Sequence, residues 1–168
     1  MKQKNFYYFV EGETEEKLIK VLRSELQVIY PGKIQKLNVV QEKISNARIM
    51  QIKPNTNMVL VFDTDTNSPQ ILLENIHKLR KCPHVSHIIC VTQVLNLEDE
   101  LIRCRNIRHV TQLTSSSSIR QFKRDFITDT HLAQKLLQHD FNISLLWAQT
   151  PPDTFHMIEN EAAKIKRK

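Results

Sequence analysis

Two acidic segments of this sequence carry residue types that could do chemistry. Residues 9–15 and residues 59–65 each begin as an apolar run typical of a buried strand and end abruptly in acids. Unpaired carboxylates are costly to bury, so we expect them at the mouth of a sheet, where a cation can offset their repulsion. A glutamate at one strand end and an Asp-x-Asp at another suit a hard divalent metal, which prefers carboxylate oxygens. Such a site is typical of phosphoryl transfer.

The elements that must position these acids alternate between strand and helix patterns. Apolar runs predict strands over residues 5–10, 33–40, 58–62 and 87–94, with a short last strand over 109–113. Helices are predicted over residues 14–26, 41–51 and 97–105, the last capped by Asn96, with another that begins at Ser68-Pro69. This order predicts an α/β, Rossmann-like fold, with a mainly parallel four- to five-stranded sheet and helices on both faces. Ligands gather at the carboxyl ends of such strands.

The strand-end positions belong to Glu11, Asp63 and Asp65, which are therefore expected to share one site. Gly12 follows Glu11 directly and is one of only two glycines in the chain. We expect it to provide a backbone conformation closed to other residues and room for a ligand.

Beyond residue 113 the pattern becomes mostly helical. Helices are predicted over residues 119–127 and 131–139, a strand over 143–147, and a final basic helix after Pro151-Pro152. We interpret residues 1–113 as the catalytic core and residues 114–168 as an extension packed on it, with Trp147 and Phe155 buried between them.

Composition permits one domain of 168 residues with a single core. No apolar stretch approaches the ~20 residues that a membrane span needs, and no signal peptide is evident, so a soluble, cytoplasmic protein without a membrane partner is expected. The three cysteines lack metal-ligand spacing and are expected to be reduced.

The net charge of +6 is carried by short basic clusters, although the two motifs are acidic. A basic surface around an acidic metal site suits an enzyme that binds DNA or RNA through its phosphates, while an ordinary solvated surface is the alternative. The candidate nucleic-acid contacts are Lys81, Arg103, Arg105, Lys123 and Arg124.

Residues 10–15 (VEGETE) and 62–65 (FDTD) together resemble the Toprim fold, and most of all its OLD and RloB-like nucleases. The resemblance covers roughly residues 5–106. It implies that Glu11, Asp63 and Asp65 are catalytic and surround one or two Mg²⁺ (or Mn²⁺) ions. It also implies cleavage of phosphodiester bonds in DNA or RNA, in phage defence or mobile-element biology.

The same resemblance implies that Glu15 helps to bind a second metal, although glutamate is also favoured in a helix's first turn without any metal. A later acidic motif of that branch corresponds to Glu98 or Glu100, and the sequence leaves open which of them joins the site. The same dipole argument favours a structural role for both.

The chain departs from the family in two respects. No glycine soon follows the Asp-x-Asp, and no Walker-type glycine loop is present, so an ATPase or other regulatory partner would be a separate chain. No tyrosine can be assigned as a topoisomerase nucleophile. The alternatives are a non-catalytic Toprim module that binds nucleic acid or a partner protein, and a phosphatase of the haloacid dehalogenase type.

Overall fold

The computed structural model describes residues 5–167, so the predictions that include residues 1–4 and Lys168 lie partly outside it. The predicted α/β, Rossmann-like class is confirmed: four parallel strands form one sheet, and six α-helices lie within the described residues. The strands are β1 (Asn5–Val10), β2 (Lys33–Lys36), β3 (Thr56–Asp63) and β4 (Val85–Gln93). The helices are α1 (Glu13–Ser24), α2 (Asn46–Met50), α3 (Gln70–Arg80), α4 (Leu97–Arg103), α5 (Ile119–Thr128) and α6 (Leu132–Gln138).

The sheet order is β2-β1-β3-β4, so β1 and β3 are its central strands. Alternate side chains of these two strands point to opposite faces of the sheet and enter two separate hydrophobic clusters. Tyr8 and Val61 join residues of α1, α4, α5 and α6, whereas Phe9 and Phe62 join residues of α3. Helices therefore cover both faces, as the sequence predicts.

Two residues separate the end of β1 from the first helix, because the sequence changes there from an apolar run to a helical stripe. Leu18, Ile19 and Leu22 form that stripe and are fully buried against the sheet. At the other predicted start, Asn96 caps α4 by accepting a hydrogen bond from Asp99 N at 3.0 Å. Both short connections hold a helix close to the carboxyl end of a strand.

Three predictions for the core differ from the structure. The strand predicted over residues 33–40 ends at Lys36, because the Asn38 side chain accepts hydrogen bonds from Val40 N and Gln41 N and turns the chain. The strand predicted over 109–113 is a 3₁₀ turn, Val110–Leu113, whose two end residues are the buried ones. The helix predicted over 41–51 is reduced to α2.

Two predictions for the extension were also wrong. Residues 143–147 form a turn instead of a strand, started by Asn142, whose side chain accepts from Ser144 N at 2.9 Å. In place of the final helix, the described chain has two short 3₁₀ turns, Asp153–Phe155 and Ala162–Lys164.

The extension packs closely on the core. Phe122 and Phe126 of α5 and Leu132 of α6 are fully buried in the same cluster as α1. Trp147 lies in that cluster too, while Phe155 packs on Phe62 on the opposite face, with ring centroids 5.9 Å apart. Within residues 5–167, the three cysteines are unpaired and buried, and no helix is both long and apolar enough to cross a membrane.

Candidate functional site

The candidate site lies where the chain reverses the direction in which it adds strands. From β1 the chain moves to β2 on one side, and it then returns to place β3 on the other side. Crevices of α/β sheets form at the carboxyl ends of such strand pairs. Glu11 directly follows β1, and Asp63 is the last residue of β3. Their strands run in register, and Asp63 N donates to Glu11 Oε2 with an N–O distance of 3.4 Å.

Asp63 is the most strongly perturbed acid of the site. Burial, followed by the negative charge of Glu11, raises its pKa from 3.8 to about 8. One interaction opposes this shift: Gln93, the last residue of β4, donates from Nε2 to Asp63 Oδ1 at 2.5 Å. Burial also raises the pKa of Glu11, and nearby Asp65 and Glu98 add to that shift. Several carboxylates therefore lie close together at one poorly hydrated site.

Glu15 faces the same place from the first turn of α1. Its side chain is only 8% exposed, and its Oε2 accepts a hydrogen bond from Gly12 N at 3.0 Å. Burial, together with the charges of Glu11 and Glu98, raises its pKa. Glu15 thus caps the helix and belongs to the acidic group at once.

Gly12 has a different role from the one predicted. Its φ of −149° is extended backbone that any residue adopts, so no special conformation requires glycine there. A Cβ at this position would instead lie 3.2 Å from Glu15 Oε2, and the missing side chain lets that carboxylate approach.

The structure separates the two acids that the sequence left open. Glu98 lies beside the other acids, since its charge raises the pKa values of both Glu11 and Glu15. Glu100 is fully buried, and both of its oxygens are occupied: Oε1 accepts from Val94 N and Arg103, and Oε2 accepts from Trp147 N. Its placement is that of a structural residue, and Glu98 is the better candidate for the site.

Asp65 completes the group from an exposed loop after β3, near enough for its charge to raise the pKa values of Glu11 and Asp63. We call these five residues the acidic cluster: Glu11, Glu15, Asp63, Asp65 and Glu98.

The acidic cluster fits a hard divalent cation by donor type, because it offers only carboxylate oxygens and carries repulsion that a cation would relieve. The arrangement of its side chains fits a metal less well than their chemistry does. Between residues 5 and 167, no three acidic, histidine or cysteine side chains are arranged to hold a metal ion as they stand. Side-chain movement would be needed to close a ligand set.

The predicted basic contacts are dispersed. Lys123, on α5, lies beside the acidic cluster and forms an ion pair with Glu98 at 3.0 Å, which raises the pKa of the lysine. Arg124 is exposed on the same helix. Lys81 instead follows α3 and lies near the start of β4, at the amino ends of the strands and not at their carboxyl ends. Arg103 is partly buried against Glu100.

Arg105 is only 8% exposed, so its guanidinium lies inside the fold and not on the surface where a phosphate contact was expected. Its Nε donates to Leu101 O at 3.1 Å, and burial lowers its pKa to about 10.

The sequence reasoning missed Gln93, although a signal was available. Gln93 is a polar residue that closes an apolar strand, which is the pattern that identified Glu11 and Asp63. No comparable local signal marks Trp147, whose indole donates to Gln93 Oε1 at 3.2 Å.

No protein-family model, curated protein or solved structure matches this chain. The acidic cluster and its surroundings are therefore the features of the chain that indicate a function.

Proposed function

We propose that this protein is a metal-dependent nuclease that hydrolyses phosphodiester bonds in DNA or RNA, similar to the Toprim nucleases. One observation carries the proposal: Glu11 and Asp63, which are 52 residues apart in the chain, meet at the carboxyl ends of adjacent parallel strands. Purely structural acids are not expected to be gathered where burial and like charge raise the pKa of one of them to about 8.

Glu11, Asp63 and Asp65 would hold a Mg²⁺ or Mn²⁺ ion, with Glu15 and Glu98 placed for a second one. When bound, the metal supplies charge stabilisation for a phosphate and lowers the pKa of water. The protein's own contribution is the positioning: Gln93 fixes one oxygen of Asp63, and Gly12 fixes one oxygen of Glu15. The remaining oxygens stay free to face a ligand.

Lys123 and Arg124 would bind the substrate. Lys123 is half-exposed beside the acidic cluster, at 54% side-chain exposure, so it can exchange Glu98 for a phosphate oxygen. Arg124 and Arg120 line a surface depression of about 350 Å³ on the same helix. A phosphate backbone that follows α5 would therefore bring one linkage to the acidic cluster.

Cleavage assays test the proposal directly. Wild-type protein is incubated with plasmid DNA and with RNA in Mg²⁺ or Mn²⁺, beside Glu11→Gln and Asp63→Asn. We expect metal-dependent cleavage by the wild type and a loss of about 10³-fold in both variants, because a metal's charge stabilisation amounts to several kcal/mol. Glu74→Gln, an exposed acid on α3, is the matched control and should keep full activity. Equal activity in all four proteins would show that the cleavage comes from a contaminant.

A non-catalytic module that binds nucleic acid or a partner is the second candidate. It is favoured by the absence of a closed set of three metal-binding side chains in the described residues. In that case the wild type would bind nucleic acid without cutting it, and Glu11→Gln would bind at least as tightly because a negative charge is removed. Hydrolysis of small phosphate esters but not of nucleic acid would instead support a phosphatase.

A further inference from the structure

Two successive hydrogen bonds connect Asp63 with the extension. Trp147 Nε1 donates to Gln93 Oε1 at 3.2 Å, and Gln93 Nε2 donates to Asp63 Oδ1 at 2.5 Å. Gln93 is fully buried and Trp147 is 1% exposed, so water does not compete for the bond between them, while the bond from Gln93 to Asp63 is partly buried at the strand ends. These hydrogen bonds thus run from a tryptophan in the extension to an acid at the carboxyl ends of the strands, which we call the carboxyl edge of the sheet.

The indole fixes which way the Gln93 amide points. Indole N–H can only donate, so it must face the amide oxygen. The amide nitrogen is then left to face Asp63, as a donor to its carboxylate. The opposite orientation would set two donors against each other at Trp147, and it would set two acceptors against each other at Asp63 whenever that carboxyl is ionised. In a buried site, both contacts would be costly.

Trp147 is itself held from two sides. Its backbone N donates to Glu100 Oε2 at 2.9 Å, and its backbone O accepts from Asn160 Nδ2 at 2.8 Å. Its φ of 55° is uncommon for a bulky side chain, and such a conformation persists only where the surroundings determine it. Glu100, a residue that the sequence made a candidate metal ligand, therefore serves to place the tryptophan.

We infer that Gln93 and Trp147 are positioning residues for Asp63, and that the extension completes the acidic cluster instead of only covering the sheet. The inference depends on the proposed function, because positioning matters only if Asp63 binds a metal. Fixing one oxygen by a donor leaves the other oxygen of Asp63 in a defined direction. Groups that orient a metal ligand in this way typically change metal affinity or activity about 10- to 100-fold when removed.

A first experiment needs no variant. Trp147 is the only tryptophan of the chain, so its indole N–H gives a single resonance. Titration with Mg²⁺ should shift this resonance, and the titration curve should give the same dissociation constant for Mg²⁺ as calorimetry does. The reason is that metal binding at Asp63 changes the acceptor of the Gln93 amide, to which the indole is hydrogen-bonded. A stationary indole resonance during metal binding would overturn the inference.

Two variants then break the hydrogen-bond chain at different points. Gln93→Leu removes the amide and keeps the tryptophan, whereas Trp147→Phe removes the indole N–H. We expect both to weaken Mn²⁺ binding by about 10- to 100-fold and to raise the metal concentration for half-maximal cleavage. The cleavage rate at saturating metal should change less. Tyr8→Phe is the matched control: it also deletes a partly buried hydrogen bond of an aromatic residue, from Tyr8 Oη to Tyr30 O, but at the opposite end of the strands.

The outcomes separate this inference from the proposed function. If the wild type binds metal and cleaves nucleic acid, but both variants keep its metal dependence, the positioning role is wrong and the nuclease assignment stands. If the wild type neither binds metal nor cleaves, the proposed function fails and the positioning role fails with it. Thermal unfolding of each variant shows whether a loss reflects unfolding, and the wild-type indole titration decides the matter if both variants unfold.

Discussion

The carboxyl ends and the amino ends of the strands form two edges of the sheet, and these edges differ in a way that shows where chemistry can occur. The carboxyl edge holds the acidic cluster, while the amino edge, where the strands begin, borders a much larger cavity of about 1130 Å³. In that cavity the polar and aromatic groups are paired with one another: Phe6 stacks on Tyr30 with ring centroids 5.0 Å apart, and Lys33 Nζ lies 4.7 Å from the centroid of Tyr7.

The carboxyl edge is electrostatically unfavourable. The negative charges of its acids add to the raised pKa values of Glu11, Glu15 and Asp63, and within the described residues Lys123 is the cation whose charge lowers the pKa of Glu11. Proteins retain such conflicts mainly where function requires them. Unrelieved charge at the strand ends, and not cavity size, therefore identifies the candidate site.

The largest expected effect concerns the buried carboxylate that supports the carboxyl edge. Glu100→Ala would leave Val94 N and Trp147 N without their acceptor and Arg103 without its carboxylate, and breaking such a buried ionic network costs about 3–5 kcal/mol. At the amino edge, Thr56→Ala loses one hydrogen bond to Lys53 O, a loss of about 1 kcal/mol. Urea unfolding measures both free energies, and equal losses would mean that the two edges are supported alike.

Metal binding at the carboxyl edge should stabilise the folded protein. At a Mg²⁺ concentration of about 100 times its dissociation constant, the free energy of unfolding should rise by about 2.7 kcal/mol. For a chain of this length, that corresponds to a rise in Tm of roughly 5–10 °C. Differential scanning calorimetry should detect the rise in the wild type and not in Asp63→Asn. An equal rise in that variant would place the metal elsewhere.

The raised pKa of Asp63 predicts a pH dependence of stability. Between about pH 4 and pH 8 the folded state keeps a proton on Asp63 that the unfolded state releases. The folded protein therefore binds more protons than the unfolded chain, and the contribution of Asp63 to stability falls as the pH rises through this window.

Asp63→Asn removes that titration, so at pH 8 without metal it should raise the free energy of unfolding by on the order of 2 kcal/mol. At pH 4 the two proteins should be nearly equally stable. Unfolding measured at both pH values provides the check, and a variant that is less stable than the wild type at pH 8 would contradict the account.

The main strands and the strand-end acids could be predicted from the sequence because each follows a local rule. An apolar run that stops at Glu11 or at Asp63 marks both a buried strand and its carboxyl end, and strand parallelism then brings the ends together. The prediction of a strand over residues 109–113 overlooked the local spacing: apolar residues at positions 110 and 113 share one face of a 3₁₀ turn but would lie on opposite faces of a strand.

Roles that depend on the docking of distant elements could not be predicted. Two positions apart on a helix, Glu98 and Glu100 must point to different faces, but only the packing of α4 decides which face meets the acidic cluster. Trp147 and Gln93 are 54 residues apart, and no periodicity connects them.

The smallest expected effect compares one lysine from each edge. Lys123→Met should weaken binding of DNA or RNA about tenfold at low salt and reduce the salt dependence of binding by about one phosphate contact, whereas Lys53→Met, in the amino-edge cavity, should change neither. The affinity for Mn²⁺ should stay the same or increase in Lys123→Met, because the change removes a positive charge beside the acidic cluster. Fluorescence anisotropy across a salt series measures the first effect and calorimetry the second. Weaker Mn²⁺ binding in Lys123→Met would mean that this lysine arranges the carboxylates and does not hold the substrate phosphate.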